Sequence, residues 1–247
     1  MSVEVVEQQV KEDPGLTKWK QGVVRGQGDP RWNEHDCVMQ SAATEYNRHL
    51  NGTAGYRPLD WLWIKAMSWV ESGPHNPEWK RKPLQIGVPT DPGLGALFGG
   101  KEGGDLIVPP GMVFTMASAR SDPTHNIRAA IGYLMMRMAD YAFRTIPDSD
   151  TTIHRAPVRD GDSLAKIARE RGTTIEVLQT MNPQAKVLRK GQMLEYRKAA
   201  IRKVIIGWHA FTPQEVARRY NGGGDVFYAS KLTFALPLVR GAKVAAC

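Results

Sequence analysis

The chain has 247 residues, 42% hydrophobic and 23% charged, enough for one large domain or two small ones with a sizeable buried core. Its net charge of +8 favours polyanionic partners such as nucleic acid, an anionic membrane surface or a bacterial envelope polymer. No basic stretch is interleaved with aromatics in a known motif, so nucleic acid is set aside, and no segment is apolar for long enough to span a bilayer, so no transmembrane segment is expected.

Residues 1 to 28 are polar and read as an extension or a short helix. Met1 to Lys20 carries Glu4, Glu7, Glu12 and Asp13 and has no apolar core of signal-peptide length, so the chain as written is expected to start in the cytoplasm. Asp29-Pro30 predicts an N-cap with proline in the first helical position, and a helix from about Arg31 to His49 that stops at Asn51-Gly52. The stretch from Trp61 to Gly73 reads as a buried helix, with Leu62, Ala66, Trp69 and Val70 at helical spacing and Gly73-Pro74 as the stop. Residues 74 to 125 lose helical periodicity and are rich in Gly and Pro. A stretch this long inside a domain is usually a cleft wall or a lid, with a short helix or strand expected between Gly111 and Ala119.

Asn126 to Arg144 is predicted as an amphipathic helix, with Ile127, Ala130, Ile131, Leu134, Met135, Met138 and Ala142 on one face. Pro147 to Asp150 reads as a linker. Residues 151 to 198 then form a unit of strand, helix, helix, strand. Its expected parts are a strand at Arg155–Val158, a helix after Asp160-Gly161-Asp162-Ser163, a second helix with Thr173 and Glu176 as a capping box, and a strand at Gln192–Tyr196. From Ala199 helix character is expected to return. Thr212-Pro213 starts a helix to Tyr220 that stops at Asn221-Gly222, and a last helix runs from about Asp225 to Phe234.

Cys37 and Cys247 are the two cysteines, and a chain of this length needs no disulfide, so both are read as free thiols. The six histidines are scattered with no HExxH or CxxC spacing, so no metal and no cofactor is expected. The residue that carries chemistry is Glu71, in the last turn of an apolar, tryptophan-rich helix. The dipole's C-terminal end and a low-dielectric setting both disfavour its charged form, so its pKa should be raised. A carboxylic acid kept protonated near neutral pH is what a glycosidic leaving oxygen needs. Glycosidases commonly pair two carboxylates; Asp91, Asp105 and Asp122 are candidates by position, and Asp122 is better explained as a turn residue before Pro123.

Val158 to Ala168, Gly172-Thr173-Thr174, Leu178 to Pro183 and Gly191 to Leu194 resemble a LysM domain over nearly its whole length. The resemblance implies binding of N-acetylglucosamine-containing glycans in a shallow groove. It places Gly161, Asp162, Ser163 and Leu164 on one side of that groove, and Met181, Asn182 and Pro183 on the other. The flanks resemble a soluble lytic transglycosylase of the lysozyme-like superfamily, with the LysM module inserted. Glu71-Ser72-Gly73 looks like that family's catalytic Glu-Ser. Leu84-Gln85-Ile86-Gly87 looks like its Gln-Ile strand, without the first glycine and the methionine. Asp122-Pro123 with Asn126-Ile127 looks like its helix start, and Tyr220-Asn221-Gly222-Gly223 with Tyr228-Ala229 like its terminal motif. The implied architecture is mainly α: a lysozyme-like helical domain, 29–150 and 199–247, interrupted by a small βααβ LysM module at 151–198.

The resemblance implies a peptidoglycan lyase. Glu71 would protonate the oxygen between N-acetylmuramic acid and N-acetylglucosamine, then take the proton of the muramic C6 hydroxyl and close a 1,6-anhydro ring. Ser72 and Gln85 would hydrogen-bond the sugar or orient Glu71, and Tyr220 would reach Glu71 or the N-acetyl group. Ile86 and Asn221 would line the site, and Asn126, counted with them as substrate-binding, would orient the cleft wall or, more simply, cap a helix. Of Trp61, Trp63 and Trp69, two or more are expected in the core. Two alternatives stand beside this: a hydrolase of the goose-lysozyme kind, which an ordered second carboxylate near Glu71 would favour, and a non-catalytic wall-binding protein. A wall-cleaving enzyme made in the cytoplasm suggests a phage lysin or an exported antibacterial effector, the latter implying a cognate immunity protein.

Overall fold

The computed structural model describes residues 13–242 and Cys247. Contacts divide the chain into two compact units, one running to Asp140 and resuming at Gly207, the other spanning Tyr141–Ile206. Helix accounts for about 49% and strand for 12%, so the architecture is mainly α.

In the larger unit the polar lead-in proves to be a helix, α1 (Pro14–Gly26), whose first amides are held by the Asp13 carboxylate; residues 1–12 of the predicted extension lie outside the described residues. The single helix expected from Arg31 is two pieces, a 3-10 turn at Pro30–Asn33 capped by Asp29 and then α2 (Asp36–Leu50). The chain bends between them so that Trp32 and His35 can both be buried, with the His35 Nε2 at 2.9 Å from the Trp79 carbonyl oxygen. Helix α3 (Leu62–Glu71) is buried continuously from Trp63 to Trp69. That includes Lys65, whose Nζ reaches Asp36 Oδ2 at 2.8 Å and Asn33 Oδ1 at 2.7 Å. A charge this deep is tolerable only with such partners. Between residues 74 and 125 lie α4 (Gly93–Phe98), α5 (Gly104–Ile107) and 3-10 turns at Pro77–Lys80 and Ser118–Arg120. Leu84–Gly87, expected as a strand, is a run of turns.

Helix α6 (Pro123–Met138) is capped by Asp122 and buries the predicted stripe from Ile127 to Met138. It stops at Met138 rather than Arg144, because the chain continues as strand β1 (Ala139–Pro147). The smaller unit follows: β2 (His154–Pro157), α7 (Leu164–Arg171), α8 (Ile175–Met181) and β3 (Met193–Tyr196). β2 and β3 pair antiparallel, with His154 opposite Tyr196 and Pro157 opposite Met193. Ala156, Ile167, Leu178 and Leu194 form the centre of its core. The cap of α8 is Thr174, not Thr173, whose hydroxyl donates instead to the Arg197 carbonyl.

Residues 199–208 were expected to be helical and instead form β4 (Ala199–Trp208), hydrogen-bonded to β1. The chain then makes α9 (Pro213–Val216), started by the Thr212 cap, a π-helical turn at Ala217–Asn221, and α10 (Tyr228–Gly241). α10 begins three residues later than predicted and continues through Pro237. It packs along α3, which sets the terminal segment against the Glu71 end of that helix. The free-thiol reading is corrected: Cys37 and Cys247, 210 residues apart, form a disulfide.

Candidate functional site

Helix α3 ends at Glu71 because Ser72 leaves helical geometry and Gly73 takes φ +67°, a conformation that suits glycine. The Ser72 and Gly73 amides both donate to the Ser68 carbonyl, so the last turn is closed and the Glu71 side chain is fixed at a rigid helix end. It faces a hollow of about 300 Å³. Gln85, Ile86, Tyr220 and Asn221, all anticipated from the sequence, line it with Glu71, and so do Asp91 and Tyr133.

The carboxyl of Glu71 is pushed up to about 7. Burial is the main cause; the carboxylates of Asp225 and Asp91 add to it, while a hydrogen bond from Tyr228 and the charge of Lys231 oppose it. The Tyr228 hydroxyl donates to Glu71 Oε1 at 2.8 Å, which leaves Oε2 to carry the acid proton. Burial holds both Tyr220 and Tyr228 well above the usual phenol value, so both act as hydrogen-bond donors.

Of the two tasks the resemblance implied for Tyr220, contact with Glu71 or with the N-acetyl group, the first belongs to Tyr228. Tyr220 donates to the Leu84 carbonyl at 3.1 Å and braces the opposite wall. Ser72 does not line the hollow: its hydroxyl donates to the Pro83 carbonyl at 2.8 Å. Asn126 is fully buried, accepting from the Leu84 amide and donating to the carbonyls of Ile86 and Ala119. Its role is to hold the 84–86 segment in place, and it neither caps a helix nor reaches the hollow. Asp122, read from sequence as a turn residue before Pro123, is the cap of α6. Trp63 and Trp69 are core residues, 7% and 2% exposed.

Two features of this wall are under tension. Gln85 and Thr90 both adopt positive φ, 54° and 73°, without being glycine. The Nε2 of Gln85 is buried and has no acceptor among the described residues. An unsatisfied donor beside a protonated acid is a poor feature for stability and a useful one for a polar ligand. Asp91 is held by two backbone amides, Gly87 at 2.6 Å and Gly93 at 2.8 Å, so a second ordered carboxylate shares the hollow.

In the smaller unit a hollow of about 220 Å³ is lined by Leu164, Asn182 and Pro183 among others. The other residues picked out by sequence mostly serve the backbone. Gly161 takes φ +71°, Asp162 accepts from the Arg159 amide and pairs with Lys166, and Ser163 caps α7. Met181, the last residue of α8, is half-buried, and Pro183 is exposed. Asn182 is buried, with Nδ2 donating to the carbonyls of Leu178 and Glu195 and Oδ1 accepting from the Glu195 amide. Its polar atoms are therefore engaged within the fold.

Among the described residues no group of three or more His, Cys, Asp or Glu is placed to hold a metal ion, and no helix is long and apolar enough to cross a membrane. Compared with protein-family models, curated proteins and solved structures, the chain matches none.

Proposed function

We propose that this protein is a peptidoglycan lytic transglycosylase of lysozyme-like fold, with Glu71 as its acid and base and the βααβ unit as a LysM module that holds the glycan wall. The observation that carries the proposal is the buried Glu71 carboxyl, raised to about 7 at a rigid helix end and opening into a polar hollow. At neutral pH a large share of it is protonated, as a proton donor to a glycosidic oxygen must be.

In the proposed reaction Glu71 gives its proton to the oxygen between N-acetylmuramic acid and N-acetylglucosamine, and the bond from that oxygen to muramic C1 breaks. The substrate's N-acetyl oxygen stabilises the cationic C1. The Glu71 carboxylate then takes the proton of the muramic C6 hydroxyl, whose oxygen closes onto C1. The acid is regenerated and no water is consumed. Tyr228 keeps Glu71 oriented throughout, and Gln85 offers its free N–H to the sugar. A wall-binding module on the same chain raises the local concentration of substrate, so even a weak module contributes.

One observation favours a second reading. Asp91, ordered by two backbone amides in the same hollow, could direct a water to C1, which would make the enzyme a muramidase of the goose-lysozyme kind. The Cys37–Cys247 disulfide suits an oxidising compartment, in keeping with work on the wall outside the cytoplasm as an exported effector or lysin. An exported toxin would need a cognate immunity protein able to plug the hollow in the producing cell.

The test is mass spectrometry of fragments released from purified sacculi by the wild type and by Glu71→Gln. Anhydromuramic ends that vanish in the variant support the lyase. Reducing ends move the assignment to the hydrolase with Asp91. Retention on sacculi without any released fragment removes the catalytic reading and leaves a wall-binding protein.

A further inference from the structure

A second hollow, of about 390 Å³, lies beside Ser72 and Gly73, immediately past Glu71 in the chain. One wall is a face of α1, where Gly15, Lys18, Gly22 and Arg25 recur at helical spacing. The glycines leave space; a Cβ at Gly22 would meet nothing within 4 Å. The two cations project into solvent at its rim, and neither is held in an ion pair or hydrogen bond among the described residues. His75 adds an imidazole, and no carboxylate among the described residues lines the hollow. The remaining surface is aromatic, contributed by Trp19, Trp32 and Trp69. The indole N–H groups of Trp32 and Trp69 are buried without an acceptor, although both residues are more than nine-tenths buried. Uncompensated donors of this kind are uncommon in a finished core.

This hollow shares more than sequence proximity with the Glu71 site. Lys231, whose charge bears on the Glu71 carboxyl, stands 5.7 Å above the Trp19 ring. The same Trp19 ring meets Phe234 of α10 edge-on at 6.1 Å. Lys231 thus relates to both places, through its charge to the Glu71 carboxyl and through its ammonium to the Trp19 ring that lines the second hollow.

We infer that this hollow receives the peptide stem of the muramic acid whose bond Glu71 cleaves, with Lys18 and Arg25 meeting stem carboxylates and the indoles covering its apolar part. The inference rests on the peptidoglycan reading above. A strand stripped of its stems offers only the single lactyl carboxylate of each muramic acid to two cations that have no partner among the described residues, whereas a stem joined through that lactyl group supplies several carboxylates along its length. Charge-assisted hydrogen bonds of this kind are roughly twice as strong as neutral ones.

The test uses the full chain carrying Glu71→Gln and measures binding of two probes by calorimetry: the N-acetylglucosamine–N-acetylmuramic acid disaccharide with its tetrapeptide, and the same disaccharide without it. The stemmed probe should bind about tenfold or more tighter, and K18E/R25E should erase that preference. K18Q/R25Q, which removes the charges without adding repulsion, should erase most of it. Equal binding of the two probes, or a preference that survives both double variants, overturns the inference. Cleavage by the chain with native Glu71 is read separately on sacculi and on amidase-stripped glycan. A stem preference without any cleavage would keep this inference and remove the lyase reading. Cleavage without a stem preference would do the reverse.

Discussion

The hollow at Glu71 and the hollow of the βααβ unit are both lined by residues from helix ends and turns, yet they treat their polar atoms in opposite ways. At Glu71 a carboxyl is held in its protonated range, an amide N–H of Gln85 is left without a partner, and two non-glycine residues sit at positive φ. In the smaller unit Asn182 uses its amide within the fold, Asp162 is paired with Lys166, and Ser163 caps a helix. The first site stores unfavourable electrostatics and strain that a substrate could relieve. The second is a finished scaffold, so the binding proposed for it would fall to backbone groups, apolar surface and shape. If the proposed roles hold, the place where polar satisfaction is withheld separates the chemical site from the holding site.

The largest expected effect tests the stored electrostatics directly. Glu71→Gln should lower glycan cleavage by about a thousandfold or more while retention on sacculi persists. The same substitution should stabilise the protein at alkaline pH. The folded-state value of Glu71 lies above the ordinary 4.5, so the unfolded chain binds fewer protons between 4.5 and about 7 and the wild type loses stability as pH rises through that window. Denaturant melts at pH 8 should show the variant more stable by roughly 1–3 kcal/mol, with the difference gone below pH 4.5. A variant no more stable at pH 8 would mean that the carboxyl is not held against its charge.

Next in size is Asn182→Ala. It strands the Glu195 amide and carbonyl, which should lower the stability of the smaller unit by about 2–4 kcal/mol and leave turnover on soluble glycan fragments unchanged. A variant that melts like wild type yet no longer binds sacculi would make Asn182 a sugar contact and end the contrast between the two hollows.

What could be read from sequence follows the range of the interactions. Glu71 was legible because its setting is local, an apolar helix stopped by Gly73-Pro74. The caps at Asp29 and Thr212 were legible for the same reason. Tyr228 was quoted within a terminal motif but given no task, since it meets Glu71 from 157 residues away. Asn126 looked like a cap or a cleft residue because its true partners, at Leu84 and Ile86, are about forty residues earlier. β1 was read as more helix because the Ala- and Met-rich period of α6 continues past Met138 with no breaker, and only pairing with β4 overrides it. The disulfide, closing 210 residues, left no local sign.

Tyr228→Phe probes the tuning of the acid rather than its presence. The phenol's hydrogen bond lowers the Glu71 value against the effect of burial, so its removal should carry that value above about 7. Glu71 must be protonated to act, so kcat/KM of the wild type should fall as pH rises through about 7, and in Tyr228→Phe this limb should move to higher pH. The rate at low pH should fall only about tenfold, because the acid is still present and only its orientation loosens. A limb that stays in place would show that Tyr228 fills space and does not tune the carboxyl.

The smallest effect is the sharpest on strain. Gln85→Ala removes a buried donor that has no protein partner, so stability should change by no more than ~0.5 kcal/mol. Gln85→Gly removes the same donor and also relieves the φ of 54°, so it should be more stable than Gln85→Ala by about 1 kcal/mol. Both should raise KM roughly tenfold, since each deletes one hydrogen bond to substrate. The two variants separate causes that coincide in the wild type. Equal KM values with unequal melting points assign the function to the amide and the strain to the backbone. If Gln85→Gly instead lowers kcat well below Gln85→Ala, the positive φ is itself needed to shape the wall opposite Glu71.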